Sequence, residues 1–209
     1  MKPSEVFIKS LEIRDNLKKN ADFEENQIDD FLLPVLPYRI SRGISLIIIG
    51  QDPTVQNEIA REDIEYTLNL DKAGALKTYI RQICEGLNIS FENIYATNVF
   101  KYFYTIPPAQ TMHILQAHLE LNLALLKEEI TTFPNAKIIT LGEPVLQLLA
   151  GEEQKVRNFW GYNGNPFSYC SAINNSLGRN FYPFPHQPSI RKVFYREHLR
   201  DYIEFVRNH

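Results

Sequence analysis

Three residues of this 209-residue chain have types and surroundings suited to chemistry. The stretch "LIIIGQDPTVQN", Leu46 to Asn57, carries an apolar run into Gly50, Gln51, Asp52 and Pro53. Proline steers the residue before it into an extended conformation, so Asp52 sits on a constrained turn where a carboxylate can orient water or stabilise a cation. An Asp at such a turn can equally cap the next few residues. Asn98 interrupts another apolar run, "NIYATNVF", and a buried carboxamide needs partners for both its carbonyl and its NH2. The edge of a nucleobase would supply them, and so would two loops of the core tied together. His186, in "FPHQPSIRK", lies between prolines, with Ser189 placed to cap the helix that follows. A histidine held in this way can donate to an oxyanion or simply pack in a loop, whereas His113, His118, His198 and His209 fall on predicted helices or at the end of the chain.

These residues need a frame. "ISLIIIG" (Ile44 to Gly50), "NIYATNVF" (Asn93 to Phe100) and "AKIITLG" (Ala136 to Gly142) are continuous apolar, β-branched runs of the kind buried on both faces of a parallel sheet. Helical patterns lie between them. Leu76, Ile80, Ile83 and Leu87 recur at helical spacing, with Gly86 and Asn88 as stop signals. After Pro107 and Pro108, the residues Leu115, Leu119, Leu123, Leu126 and Ile130 form a second stripe, and Pro144 suits the first turn of a short helix after the third run. A fourth β-rich stretch is expected around Tyr169 to Ile173, before a last helix marked by Tyr195, Leu199, Tyr202 and Val206. Strand alternating with helix predicts an α/β fold: three layers, α/β/α, around a central, mainly parallel four-stranded sheet, with ligands bound at the carboxyl ends of the strands.

The length suits a single domain over residues 1–209, with a helical N-terminal segment over about residues 1–40 in which Val6, Phe7, Leu11 and Leu17 form the apolar stripe. No run reaches the roughly 20 apolar residues that a membrane span needs, and the start lacks a signal-peptide core, so a cytoplasmic protein is expected. Cys84 and Cys170 stand far apart with no second ligand at metal spacing, which argues against a disulfide framework or a zinc site. A net charge of -3 disfavours a coat of basic residues. From Arg179 to Arg200, however, Arg179, Arg191, Lys192, Arg196 and Arg200 face a single acid, Glu197, while Asp22, Glu24, Glu25, Asp29 and Asp30 crowd the first thirty residues. This polarity fits either a phosphate-attracting face or ordinary solvated surfaces.

Taken in order, these motifs resemble the uracil-DNA glycosylase superfamily. "GQDP" is similar to its first motif, "YATNVFK" to the strand with the base-recognition Asn, "AKIITLGEPVLQLL" to its third strand and helix, and "HQPSIRK" to its His-Pro-Ser motif. The resemblance spans roughly Gly43 to Arg191 and implies hydrolysis of the N-glycosidic bond of uracil or a related damaged base in DNA. It implies that Asp52 positions or activates the water attacking the sugar C1′. His186 would donate to uracil O2 as the base departs, Asn98 would read the flipped base, and Gln51 would line the pocket, mainly through its backbone. Ser189 belongs to the same motif, and Ile190, Arg191 and Lys192 take the positions of the wedge and the phosphate contacts. No metal or organic cofactor is implied, and two cysteines exclude the iron–sulfur branch. The expected partner is DNA containing uracil or another damaged base, met by a monomer.

The chain departs from the family pattern at three points. Thr54 stands where the family places a tyrosine that excludes the thymine methyl. Leu68 takes the position of the phenylalanine that stacks on uracil, with Tyr66 as a neighbouring aromatic, and stacking is worth about 1–3 kcal/mol per base. Gln187 adds a residue between His186 and Pro188. These departures keep open an alternative in which the same fold binds nucleic acid or a nucleobase without hydrolysis. An unrelated α/β nucleotide enzyme is the weaker option, because neither glycine-rich phosphate-loop pattern follows the first strand.

Overall fold

The computed structural model describes residues 1–19, 27–40, 43–108, 112–186 and 192–209. Five strands form one sheet: Tyr38–Arg39 (β1), Leu46–Gly50 (β2), Ile94–Asn98 (β3), Lys137–Leu141 (β4) and Tyr182–Phe184 (β5). Six α-helices accompany them among the described residues: Pro3–Lys19 (α1), Glu58–Glu62 (α2), Ala75–Gly86 (α3), Met112–Thr131 (α4), Glu143–Ala150 (α5) and Leu199–Asn208 (α6). The sheet order is β1-β3-β2-β4-β5, with β3, β2, β4 and β5 parallel and β1 antiparallel to β3. The parallel sheet is therefore as expected, with a fifth, two-residue strand added at one edge. Every residue of β2 and β3 is buried, including the polar Thr97 and Asn98 that end β3.

Helices α1 and α4 pack together, as do α3 and α6, and the whole is a three-layer α/β/α arrangement. The stripe on α3 behaves as its periodicity predicts: Ile80 and Ile83 are buried, and Asn88 just beyond the helix adopts a left-handed φ of 57°. Two helices bury only part of the expected stripe and add polar residues to it. On α1 the buried residues are Val6, Ser10, Arg14 and Leu17, with Arg14 donating to the Leu32 carbonyl at 2.9 Å. On α4 the leucines at 119 and 123 lie partly buried, while His118, Asn122 and Glu129 are fully buried beside Leu115 and Leu126. Their polar atoms find partners on β3 and the loop after it, described below.

The fourth parallel strand is displaced from its expected place. Tyr169 to Ile173 contributes one isolated bridge, Cys170 to Phe181, and the strand itself is Tyr182–Phe184, with Pro183 at its centre. Proline tolerates this position because β5 is short and lies at the sheet edge. Before α6 the chain makes a π-turn over Phe194–His198.

Arg179 is corrected from a surface charge to a structural one. Its Nη1 donates to the Ile130 and Phe133 carbonyls, each at 3.1 Å, and its Nη2 to Pro134 and Ala136 at 3.1 and 2.6 Å. It thereby adds charged donors along the turn from α4 into β4, where the Ile130 and Phe133 carbonyls also accept from the amides of Phe133 and Ala136. In the acidic N-terminal run, Asp29 Oδ1 accepts from the amides of Phe31 and Leu32, and Asp30 pairs with Lys18. Asp22, Glu24 and Glu25 lie outside the described residues. Among the described residues no helix is long and apolar enough to cross a membrane.

Candidate functional site

The carboxyl ends of β3, β2, β4 and β5 lie side by side, about 4.8 Å per step, and all point to one edge of the sheet. Sequence segments from four distant parts of the chain meet there. Gly50 is paired in register with Asn98, and the loop after β2 is stitched to the loop after β3 by Val99 and Phe100 amides donating to the carbonyls of Gly50 and Gln51, each at 2.9 Å. On the other side of β2, the Gly142 amide donates to the Phe184 carbonyl at 2.8 Å, joining the ends of β4 and β5 two residues before His186.

Asn98 is fully buried, yet neither its Oδ1 nor its Nδ2 has a hydrogen-bond partner. Leaving one such group unsatisfied costs about 1–3 kcal/mol, and both ends of this carboxamide are open to a partner that the chain itself does not supply. The side chain lies over Gly50, where any added Cβ would sit 2.4 Å from Asn98 Oδ1 and 2.9 Å from Leu68 Cδ2. The glycine that ends the apolar run therefore makes room for the carboxamide. Leu68 closes the same space from above, and it does so from a strained backbone: Leu68 and Asn69 have φ of 59° and 53°. The left-handed conformation costs roughly 1–2 kcal/mol for a non-glycine residue. The turn is held by Thr67 and Asn69 amides donating to the Leu36 and Tyr66 carbonyls, at 2.9 and 3.0 Å. Tyr66 itself packs edge-on against Tyr38, with ring centroids 6.3 Å apart.

Asp52 follows on the β2 loop. Its Oδ2 accepts from the Thr54 amide and its Oδ1 from Gln51 Nε2, both at 2.8 Å. The first bond is the local turn that an Asp before proline can make, and it fixes the carboxylate in place. Gln51 thus serves through its side chain as well as its backbone. Burial pushes the Asp52 carboxyl up to about 6, against the pull of the Thr54 and Gln51 bonds and the Arg61 charge. At neutral pH it remains mostly ionised and is a far stronger proton acceptor than an ordinary aspartate.

His186 reaches the site from the β5 end. An added Cβ on Gly142, whose φ is 95°, would lie 3.2 Å from the His186 Cβ, so glycine is what lets the β5 loop approach the end of β4. Burial lowers the His186 pKa, which keeps the imidazole neutral at pH 7, with one nitrogen a donor. Gln187, Pro188, Ser189, Ile190 and Arg191 lie outside the described residues, so the expected roles of Ser189, Ile190 and Arg191 concern positions beyond them. Lys192 is exposed where the chain enters the closing helical segment.

Thr54 Oγ1 accepts from the Tyr104 amide at 2.8 Å and so ties the β2 loop to the aromatic loop after β3. The aromatics there are packing residues: Phe100, Tyr102, Phe103 and Tyr104 are buried, with Phe100 and Tyr104 edge-on at 6.0 Å. Arg61, also buried, clamps the same two loops by donating to the carbonyls of Val55 (2.7 Å), Tyr104 (3.2 Å) and Thr105 (2.8 Å).

Two buried polar groups behind the site were not legible as functional. The Tyr104 hydroxyl and His118 Nδ1 are 3.1 Å apart, and Asn122 Nδ2 donates to the Tyr102 hydroxyl and the His118 carbonyl, at 3.0 and 2.8 Å. Burial lowers His118 to about 4. The second group centres on Lys101 and Glu129, both fully buried, with Nζ 2.5 Å from Oε2. The only signal for either was polar residues inside helical or strand patterns, and helices carry many such residues on their outer faces.

Cys84 and Cys170 are free and buried, and burial pushes the Cys84 thiol up to about 12. Among the described residues no three His, Cys, Asp or Glu side chains are grouped to hold a metal ion. No protein-family model and no curated protein matches the sequence.

Proposed function

We propose that this protein is a monofunctional DNA glycosylase, which hydrolyses the N-glycosidic bond of uracil or a related damaged base in DNA. The observation that carries the reading is the Asn98 carboxamide, buried with both ends open beside the loop that bears Asp52. A carboxamide offers one acceptor and one NH2 donor side by side, and the N3–H and O4 of uracil offer the complementary pair. Such a group meets a base only after the nucleotide has been flipped out of the stack.

In this reading Asp52, ionised at neutral pH, orients the attacking water and favours positive character at the sugar C1′. The neutral His186 donates to uracil O2 as negative charge builds on the leaving base. Gln51 holds Asp52 in orientation, and Leu68 supplies an aliphatic ceiling where an aromatic ring would stack. The exposed Lys192 contacts the strand, and Ile190 and Arg191 take the wedge and phosphate-contact positions that the family pattern gives them. The driving effect is stabilisation of the leaving group by aimed dipoles in a water-poor pocket, where one donor is worth about 3–4 kcal/mol.

The test is release of uracil from an oligonucleotide, read as strand breakage after alkali. Cleavage at the uracil position is expected, with Asp52→Asn and His186→Ala each lowering turnover far more than DNA affinity. Intact strands across single- and double-stranded uracil, hypoxanthine and hydroxymethyluracil substrates would remove the proposal. One observation favours binding without hydrolysis: both Asp52 oxygens already accept hydrogen bonds from the protein. Salt-sensitive DNA binding with no base release would select that second reading.

A further inference from the structure

The Lys101–Glu129 ion pair is out of place on energetic grounds. Both side chains are wholly buried, and removing two charges from water commonly costs as much as their attraction returns. What the pair does is visible in its other bonds. Glu129, from α4, accepts at Oε1 from the Tyr95 hydroxyl (2.8 Å) and the Thr97 hydroxyl (2.9 Å). Lys101 donates from Nζ to the main-chain carbonyl of Asn98 at 2.7 Å. One carboxylate therefore gathers two side chains of β3 directly and, through Lys101, the peptide that ends the strand.

Alternation along the strand gives this gathering a direction. Tyr95 and Thr97 project from one face of β3, while Ala96 and Asn98 project from the other. The clamp thus grips the face away from the carboxamide and leaves the carboxamide clear. The Asn98 side chain has no hydrogen bond of its own, and the terminal torsion of an asparagine is broad, so its aim depends on the backbone that carries it. The strand end, already stitched to the β2 loop by the Val99 and Phe100 amides, is fastened again by an ammonium on its last carbonyl.

We infer that Lys101 and Glu129 are positioning residues, which hold the end of β3 so that Asn98 presents its carboxamide to the base in a single orientation. The inference rests on reading Asn98 as the base-recognition group, and its test separates the two. The variant is the double substitution Lys101→Met with Glu129→Gln, which removes both charges together and whose new amide keeps an oxygen to accept from Tyr95 and Thr97. Replacing a buried pair by neutral groups of similar volume avoids the orphaned charge that either single change would leave. The first readout is the side-chain NH2 signal of Asn98 in the nitrogen–proton spectrum of the free protein, assigned by its loss in Asn98→Asp. It is expected to shift or broaden in the double variant while the rest of the spectrum stays dispersed. Tyr95→Phe, which withdraws one donor from Glu129 and keeps the ion pair, should move the same signal by less and serves if the double variant does not fold.

The second readout is affinity for free uracil, expected to weaken about tenfold, the loss of roughly one well-made hydrogen bond. An Asn98 signal unchanged in both folded variants overturns the positioning role, even if activity falls. Absence of uracil binding and release by the wild-type protein would instead count against the glycosylase reading, and the Asn98 signal would still decide whether the clamp fixes the strand end.

Discussion

Replacing Asp52 by asparagine should make the protein more stable and less active, with both effects following the same titration in opposite directions. Burial raises the Asp52 carboxyl from 3.8 in the unfolded chain to about 6 in the folded one. The folded state therefore holds this proton more tightly than the unfolded state does. Its stabilising contribution is complete below the unfolded value of 3.8 and is lost as pH rises through about 6. A shift of roughly two pH units corresponds to about 3 kcal/mol, and because Asp52 keeps partial contact with solvent, screening trims this to about 1–2 kcal/mol. Asparagine removes the titration and keeps the geometry, since its oxygen can accept from the Thr54 amide while the Gln51 amide turns to offer its own oxygen. Thermal unfolding of both proteins between about pH 4 and pH 8 reads the difference. A melting-temperature gap of about 3–6 °C in favour of Asp52→Asn at the alkaline end, closing toward the acid end, is expected for a chain of this size. Wild-type kcat/KM should rise with pH around a midpoint near 6, as the carboxylate forms. Parallel melting profiles would refute the burial of the charge, and a flat rate through that midpoint would refute its role as the ionised base.

Gly50→Ala should lower base-release kcat/KM by about a hundredfold, because the new methyl would displace the Asn98 carboxamide or Leu68, and unfolding should become easier by about 1–3 kcal/mol. Steady-state kinetics with urea unfolding separates the two effects, and near-normal values of both would show that the contact relaxes freely. Arg179→Ala should cost about 2–4 kcal/mol by denaturant unfolding, since four carbonyls lose a charged donor, while the salt dependence of DNA binding stays unchanged. A reduced salt slope would instead return Arg179 to the phosphate-contacting surface.

The strands that build the site were readable where local composition decides the conformation. β2, β3 and β4 are buried on both faces over most of their length, and their short β-branched apolar stretches, five residues each, fit a strand better than a helix. β5 was misplaced because Pro183 at its centre argues against a strand, and only the edge position excuses it. The leucine stripe on α4 located Leu115, Leu126 and Ile130 of the inner face but not His118, Asn122 and Glu129, whose partners lie on β3 and its following loop, far away in sequence. A lysine in "NVFKYFY" gives no sign that it will be buried until Glu129 is seen opposite it. Asp52 and Asn98 stood out because each breaks an apolar pattern at a strand end. That the Asn98 side chain has no partner, and that Gly50 exists to accommodate it, are facts of packing that only three dimensions reveal.

The two margins of the sheet bear on how the protein behaves when crowded. A long, flat border strand presents a row of free amides and carbonyls on which another chain can polymerise. Here one border is the two-residue β1 and the other is the three-residue β5, interrupted by a proline that has no amide to donate. The long apolar strands that would propagate a fibril, β2 and β3, are enclosed between neighbours. Such borders disfavour edge-to-edge growth in the folded state, so aggregation should begin only once the sheet itself has opened.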